Sequence, residues 1–148
     1  MVGANQGRDP ADDLRAIAFL LEAGLAAPPR VRAFRAAAAI VDGLDPDELG
    51  RRAAAGTLAE LAGIGATTSA VITQSAAGIA PAYLVDLQRS AGDALVDKRT
   101  GESADSPQAR AVLAALRGDC HSHSDWSDGG SPILEMALAA RDLGRQYQ

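Results

Sequence analysis

Lysine is almost missing from this chain: Lys98 is the single lysine among 14 basic residues in 148, and the rest are arginine. Chemistry that depends on a lysine amine, such as Schiff-base formation with a sugar aldehyde, has no residue to use before position 98. One cysteine, Cys120, excludes an internal disulfide and fits a reducing compartment. No apolar run reaches membrane-spanning length, and the opening "MVGANQGRDP" lacks the basic-then-apolar layout of a signal peptide. A cytoplasmic protein is expected. An excess of positive charge is also absent. The net charge is −5, divided as −2 over residues 1–90 (eight basic, ten acidic) and −3 over the rest (six basic, nine acidic). Nucleic-acid binding would therefore rest on a local patch and on backbone groups, not on bulk attraction.

What is present reads as helix. Leu14, Ile17, Ala18, Leu20 and Leu21 recur at helical spacing up to a stop at Gly24. The pair Pro28-Pro29 breaks the chain, and Val31, Phe34, Ala37, Ala38 and Val41 mark a second helical face. "DPDEL" from Asp45 is an N-cap followed by Pro at the first helical position and acids in the first turn, which starts a third helix. "GTLAEL" from Gly56 begins a short fourth, "GIG" turns the chain into a fifth over Ala66 to Ala77, and "PAYLVDLQ" adds a turn or two. No alternating segment precedes residue 90. The expected fold is mainly α: a helical domain over 10–89, a Ser-, Gly- and Asp-rich linker over 90–107, and a β/α fragment over 108–148. That last part reads as a helix "QARAVLAAL", a short strand and loop, and a helix capped by Ser131 with Pro132 at its first position.

Two stretches carry chemistry. In "LAGIGATTSAVI", Gly63 and Gly65 permit unusual backbone angles, Ile64 can plug the gap between two helices, and the helix after Gly65 starts with unpaired amides suited to a phosphate. "PPRVRAFRAAAAIVDGL" followed by "GTLAELAGIGATTSAVI" resembles the N-terminal helix-hairpin-helix domain of the DNA polymerase beta (family X) group. The resemblance spans Leu14 to Leu87, about half the chain. It implies a grip on the backbone of gapped or nicked DNA through the amides of Gly63, Gly65, Ala66 and Thr67. Hydroxyls of Thr67 and Thr68 would add contacts, and a monovalent cation would sit on the carbonyls of Ala59, Leu61 and Ile64. Arg30, Arg32 and Arg35 read equally as a solvated face or as a phosphate-contacting patch. Some relatives of this kind cleave 5'-deoxyribose phosphate with a lysine; the matching position here is Val71 and the position of its upstream helper is Thr67, so no lyase activity is expected.

The second stretch is "GDCHSHSDWSDGG", which holds both histidines of the chain, its cysteine and its tryptophan. On a strand, His121 and His123 would project from one face, with Asp119 beside them to orient an imidazole and Asp128 offering a carboxylate to a divalent cation. Cys120 would point to the opposite face and be buried. "GDCHSHSDWSDGGSPILEMALAARDLG" resembles the opening strand, loop and helix of a PHP (polymerase and histidinol phosphatase) domain. The resemblance implies His121, His123 and Asp128 as ligands of zinc, manganese or iron in a site that hydrolyses phosphoesters with metal-activated water. The further ligands such a site needs are absent before Gln148, so the chain is expected to be a piece of a longer protein and inactive alone. Three functions follow: DNA binding joined to a metal-dependent phosphoesterase, a histidinol-phosphatase-like enzyme acting on small molecules, or a DNA-binding module without activity.

Overall fold

Asp9 starts the first helix: its side chain accepts from the Ala11 amide at 2.8 Å, and Pro10 takes the first position, where no donor is needed. The computed structural model describes residues 7–94, 106–142 and 144–147. Within them lie α1 (Pro10–Ala23), α2 (Pro28–Asp42), α3 (Pro46–Ala55), a 3-10 turn (Leu58–Glu60), α4 (Ala66–Ala76), α5 (Ala82–Ala94), α6 (Pro107–Ala115) and α7 (Ile133–Asp142). The protein is mainly helical. Among the described residues no strand forms, and the β geometry is limited to an isolated parallel bridge between Gly118 and Tyr147. No helix among them is long and apolar enough to cross a membrane. Contacts divide the chain into two units, Met1–Ser90 and Ala91–Gln148.

Three expectations need correction. Pro28 and Pro29 do not interrupt the chain; they open α2, because a fixed φ suits a first helical turn. Helix α5 is far longer than a turn or two. The Gln74 side chain accepts from the Ala82 amide at 2.9 Å and so satisfies its start, while Leu84 is buried against the core. It also runs through Ala94, so the first residues of the expected linker are helical; 95–105 lie outside the described residues.

In the first unit, α1 packs on α2 and on α4, and α3 on α4. Leu14, Ile17, Ala18 and Leu21 of α1 meet Val31, Phe34, Ala37, Ala38 and Val41 of α2, with Leu58, Ile64, Val71, Ile72 and Leu84 closing one core. Each fully buried Leu or Ile contributes about 1.5–3 kcal/mol. Three polar side chains are buried beside this core, Asp13, Thr68 and Ser75. Asp13 accepts from Ser75 Oγ at 2.7 Å and from Arg8 at 2.6 and 2.9 Å, which ties α1 to α4 and to the residues before α1. Periodicity did not reveal it, since Asp13 reads as an ordinary first-turn acid.

The second unit has the same quality of helix signals and a different outcome. Ser106 caps α6 by accepting from the Ala109 amide at 3.2 Å. Beyond α6, the chain near Tyr147 returns to it: Arg145 donates to the carbonyls of Leu116 and Leu113 at 2.6 and 3.2 Å, and the Gln146 amide donates to Arg117 at 2.6 Å. Yet none of the residues of this unit whose burial is described is buried.

Candidate functional site

The hairpin is built from the 3-10 turn, the residues 61–65 and the start of α4. Ile64 is buried and its amide donates to the Leu61 carbonyl at 3.0 Å, so the plug foreseen between the helices is in place. The two glycines are not equivalent. Gly63 has φ +92, and a Cβ there would meet Ile40 Cδ1 at 2.7 Å. Gly65 has an extended backbone with φ −95, and a Cβ would meet nothing within 4 Å. Only Gly63 is demanded by the fold. Gly65 instead leaves the approach to the α4 N-terminus open.

The hairpin amides also divide. Gly65 N–H donates to Thr68 Oγ1 at 2.9 Å, and Thr68 is buried. Neither group is therefore free for a phosphate, contrary to the sequence expectation: the threonine hydroxyl caps its own helix. Among the described residues, the amides of Gly63, Ala66 and Thr67 make no hydrogen bond, and all three residues are exposed. Of the carbonyls assigned to a monovalent cation, that of Ala59 lies in the 3-10 turn and that of Leu61 already accepts from Ile64.

The arginines of α2 part company in the same way. Arg32 is exposed and has no partner among the described residues. Arg35 pairs with Glu22 of α1 at 2.8 Å and is largely covered, so it serves the packing of the two helices. Arg30 donates to the Tyr83 hydroxyl, with its guanidinium carbon 5.5 Å from the ring centroid, and Tyr83 stacks on Phe34 at 5.4 Å. Arg51 and Arg52 are held by Glu48 at 2.5 and 2.6 Å; Arg51 first, then Arg52, keeps that carboxyl below its ordinary range. Beside the free amides lies a shallow cavity of about 390 Å³ lined by Ala66, Thr67, Ala70, Val71, Gln74, Ala82 and Tyr83. Sequence reading missed this cavity and the contact of Arg30 with Tyr83; an Arg and a Tyr 53 positions apart leave no local signal.

In the second unit, residues 121–124 are irregular and 125–128 form a turn, so the strand expected there is absent. A strand needs a neighbour to pair with, and the backbone finds only the single bridge at Gly118. Two dependent expectations fall with it. Cys120 is exposed rather than buried. Asp119 does not orient an imidazole; its Oδ1 accepts from the His121 backbone amide at 2.9 Å.

The side chains expected to gather do so without the strand. His121 Nε2 lies 3.0 Å from His123 Nε2, and the other nitrogen of His123, Nδ1, contacts Asp128 Oδ1. Two imidazole nitrogens on one tetrahedral zinc ion stand about 3.3 Å apart, so the pair fits as two donors. Asp128 lies on the far side of the ring, and among the described residues no three His, Cys, Asp or Glu side chains are grouped to hold an ion. Gly129 makes the fold-back possible. A Cβ there would fall 2.2 Å from the His123 carbonyl oxygen, and the Gly129 amide donates to Ser124 at 3.1 Å. No protein-family model, curated protein or solved structure matches this chain.

Proposed function

We propose that this protein binds gapped or nicked DNA through the hairpin that opens α4, and that His121 and His123 supply donors to the divalent metal site of a PHP-type phosphoesterase acting on DNA ends or related phosphoesters. The observation that carries the DNA reading is the open turn at Gly65, with the free amides of Gly63, Ala66 and Thr67 at the start of an eleven-residue helix. Such an end favours an anion by about 0.3–1 kcal/mol, to which the amide hydrogen bonds add. Arg32 brings an exposed positive charge; Arg35 and Thr68 act within the fold. A monovalent cation on the carbonyls of Ala59, Leu61 and Ile64 belongs to the same reading.

For the metal, the two Nε2 atoms are donors that this stretch offers to zinc, manganese or iron. A divalent ion bound there supplies Lewis acidity toward a phosphoester. The chain's own part is to aim two imidazoles at one point. A purely DNA-binding role, without catalysis, is favoured by one observation: none of the residues around the histidines whose burial is described is buried, so no wall excludes water from them.

The test is fluorescence anisotropy on a gapped duplex across about 50 to 200 mM salt. One phosphate neutralised by Arg32 gives a slope of about −1 in log K against log salt. Arg32→Ala is expected to reduce that slope by about 1. Binding that ignores salt, or no binding at the lowest salt, sinks the DNA reading. Phosphate release from DNA ends but not from histidinol phosphate, with manganese added to the full chain, separates the two enzymatic possibilities.

A further inference from the structure

We infer that the groove between α4 and the start of α5 takes an unpaired nucleobase of the DNA, with Tyr83 as its stacking platform; this rests on the reading of the hairpin as a phosphate contact. Ala66 and Thr67 carry two of the free amides and also line the groove. A phosphate on those amides and a group in the groove are therefore neighbours, as the phosphate and the base of one nucleotide are. The walls are apolar apart from the Thr67 hydroxyl, the Gln74 amide and the Tyr83 hydroxyl, and none of them carries a charge. An anionic strand thus meets no carboxylate there, and the cation in contact with Tyr83 is Arg30, which is exposed. The volume of about 390 Å³ falls within the range of about 300–1,000 Å³ usual for sites that hold a small ligand, and such sites pair apolar walls with a few polar groups.

The platform is fixed before any ligand arrives. The buried Phe34 stacks on the Tyr83 ring, with centroids 5.4 Å apart and planes at 20°. Arg30 donates to the Tyr83 hydroxyl, and Gln74 Oε1 accepts from the Ala82 amide at 2.9 Å, which holds the start of α5 against α4. An aromatic ring that is already held loses little freedom when a base settles on it. Stacking of this kind accepts any base, because each has a π-face. A base inside a duplex is stacked on both sides and out of reach. The base left unpaired opposite a gap is the one that can enter. The groove is shallow and Tyr83 is half-buried, so the expected gain is about five- to tenfold in affinity, the lower part of what an aromatic–base stack contributes.

The experiment measures anisotropy with the full chain and two gapped duplexes that differ at a single place. One carries an unpaired adenine opposite the gap; the other carries a tetrahydrofuran abasic unit there, with the same phosphates and no base. The unaltered chain is expected to bind the adenine duplex about five- to tenfold more tightly. Tyr83→Ala is expected to bring that ratio to about one, and Tyr83→Phe, which keeps the ring and loses only the hydroxyl, to keep most of it. Because Tyr83 also packs on Phe34, a second variant guards against a general loss of structure: Ala70→Leu, at an exposed position of α4, fills the groove from its other wall and should likewise bring the ratio to about one. Equal binding of the two duplexes by the unaltered chain, or a ratio that survives both Tyr83→Ala and Ala70→Leu, overturns the inference and leaves the hairpin reading standing. Displacement of the adenine duplex by micromolar adenosine monophosphate would make the groove a site for a free nucleotide and overturn it too. If neither duplex binds, the DNA reading fails and this inference falls with it.

Discussion

The two units of this protein follow the same local rules and reach opposite results. Helices α1 and α6 each start at a side-chain cap with Pro at the first position, and both turn an apolar stripe to one side. In α1 that stripe is sealed: Leu14, Ile17 and Ala18 are 0% exposed. In the second unit Val112 is 62% exposed and Leu134 70%. Caps and periodicity decide where helices begin and which face is apolar. Whether that face is covered depends on having other faces to meet it, and the first unit has five helices to the second unit's two among the described residues.

The contrast breaks or holds first on core truncations. Ile17→Ala is expected to cost about 2–5 kcal/mol in urea unfolding, while Leu134→Ala stays within about 0.5 kcal/mol. Equal costs would mean that α7 is covered in solution. Next in size, Asp13→Ala strands the buried Ser75 hydroxyl and should cost about 1–3 kcal/mol by the same measurement; a neutral result would show that the polar tie between α1 and α4 adds nothing. The hairpin glycines then separate fold from function. Gly63→Ala should lose about 1–2 kcal/mol, because a left-handed backbone and Ile40 both oppose it. Gly65→Ala should leave stability within about 0.5 kcal/mol and lower DNA affinity, seen by anisotropy; the reverse pattern would dismiss the hairpin as the contact. The smallest effect is a gain. Leu25 has φ +56 and is fully open to water, so Leu25→Gly should stabilise the first unit by about 1 kcal/mol, read as a raised unfolding midpoint.

Helices α1 to α4 were legible from their apolar spacing, and at Asp45 a cap, a proline and first-turn acids agreed with it. The length of α5 was not, because its start depends on Gln74, a partner eight residues earlier that no spacing rule identifies. In the hairpin, Ile64 and the open α4 N-terminus could be foreseen, and the roles of Thr68 and Arg35 could not. A threonine at the third helical position and an arginine on a polar face look available until their partners, Gly65 and Glu22, are placed in space. At the histidines, alternation correctly put His121 and His123 together and wrongly supplied a strand to hold them; a tight turn closed by Gly129 brings Asp128 in instead.

That Thr68 occupies the amide of Gly65 has a consequence for what the hairpin can recognise. Three main-chain donors remain, all of them blind to the identity of a base, and together they span little more than one phosphate group. A protein holding DNA this way would choose its place by the shape and continuity of the strand, settling at interruptions wherever they occur and ignoring the order of the letters around them.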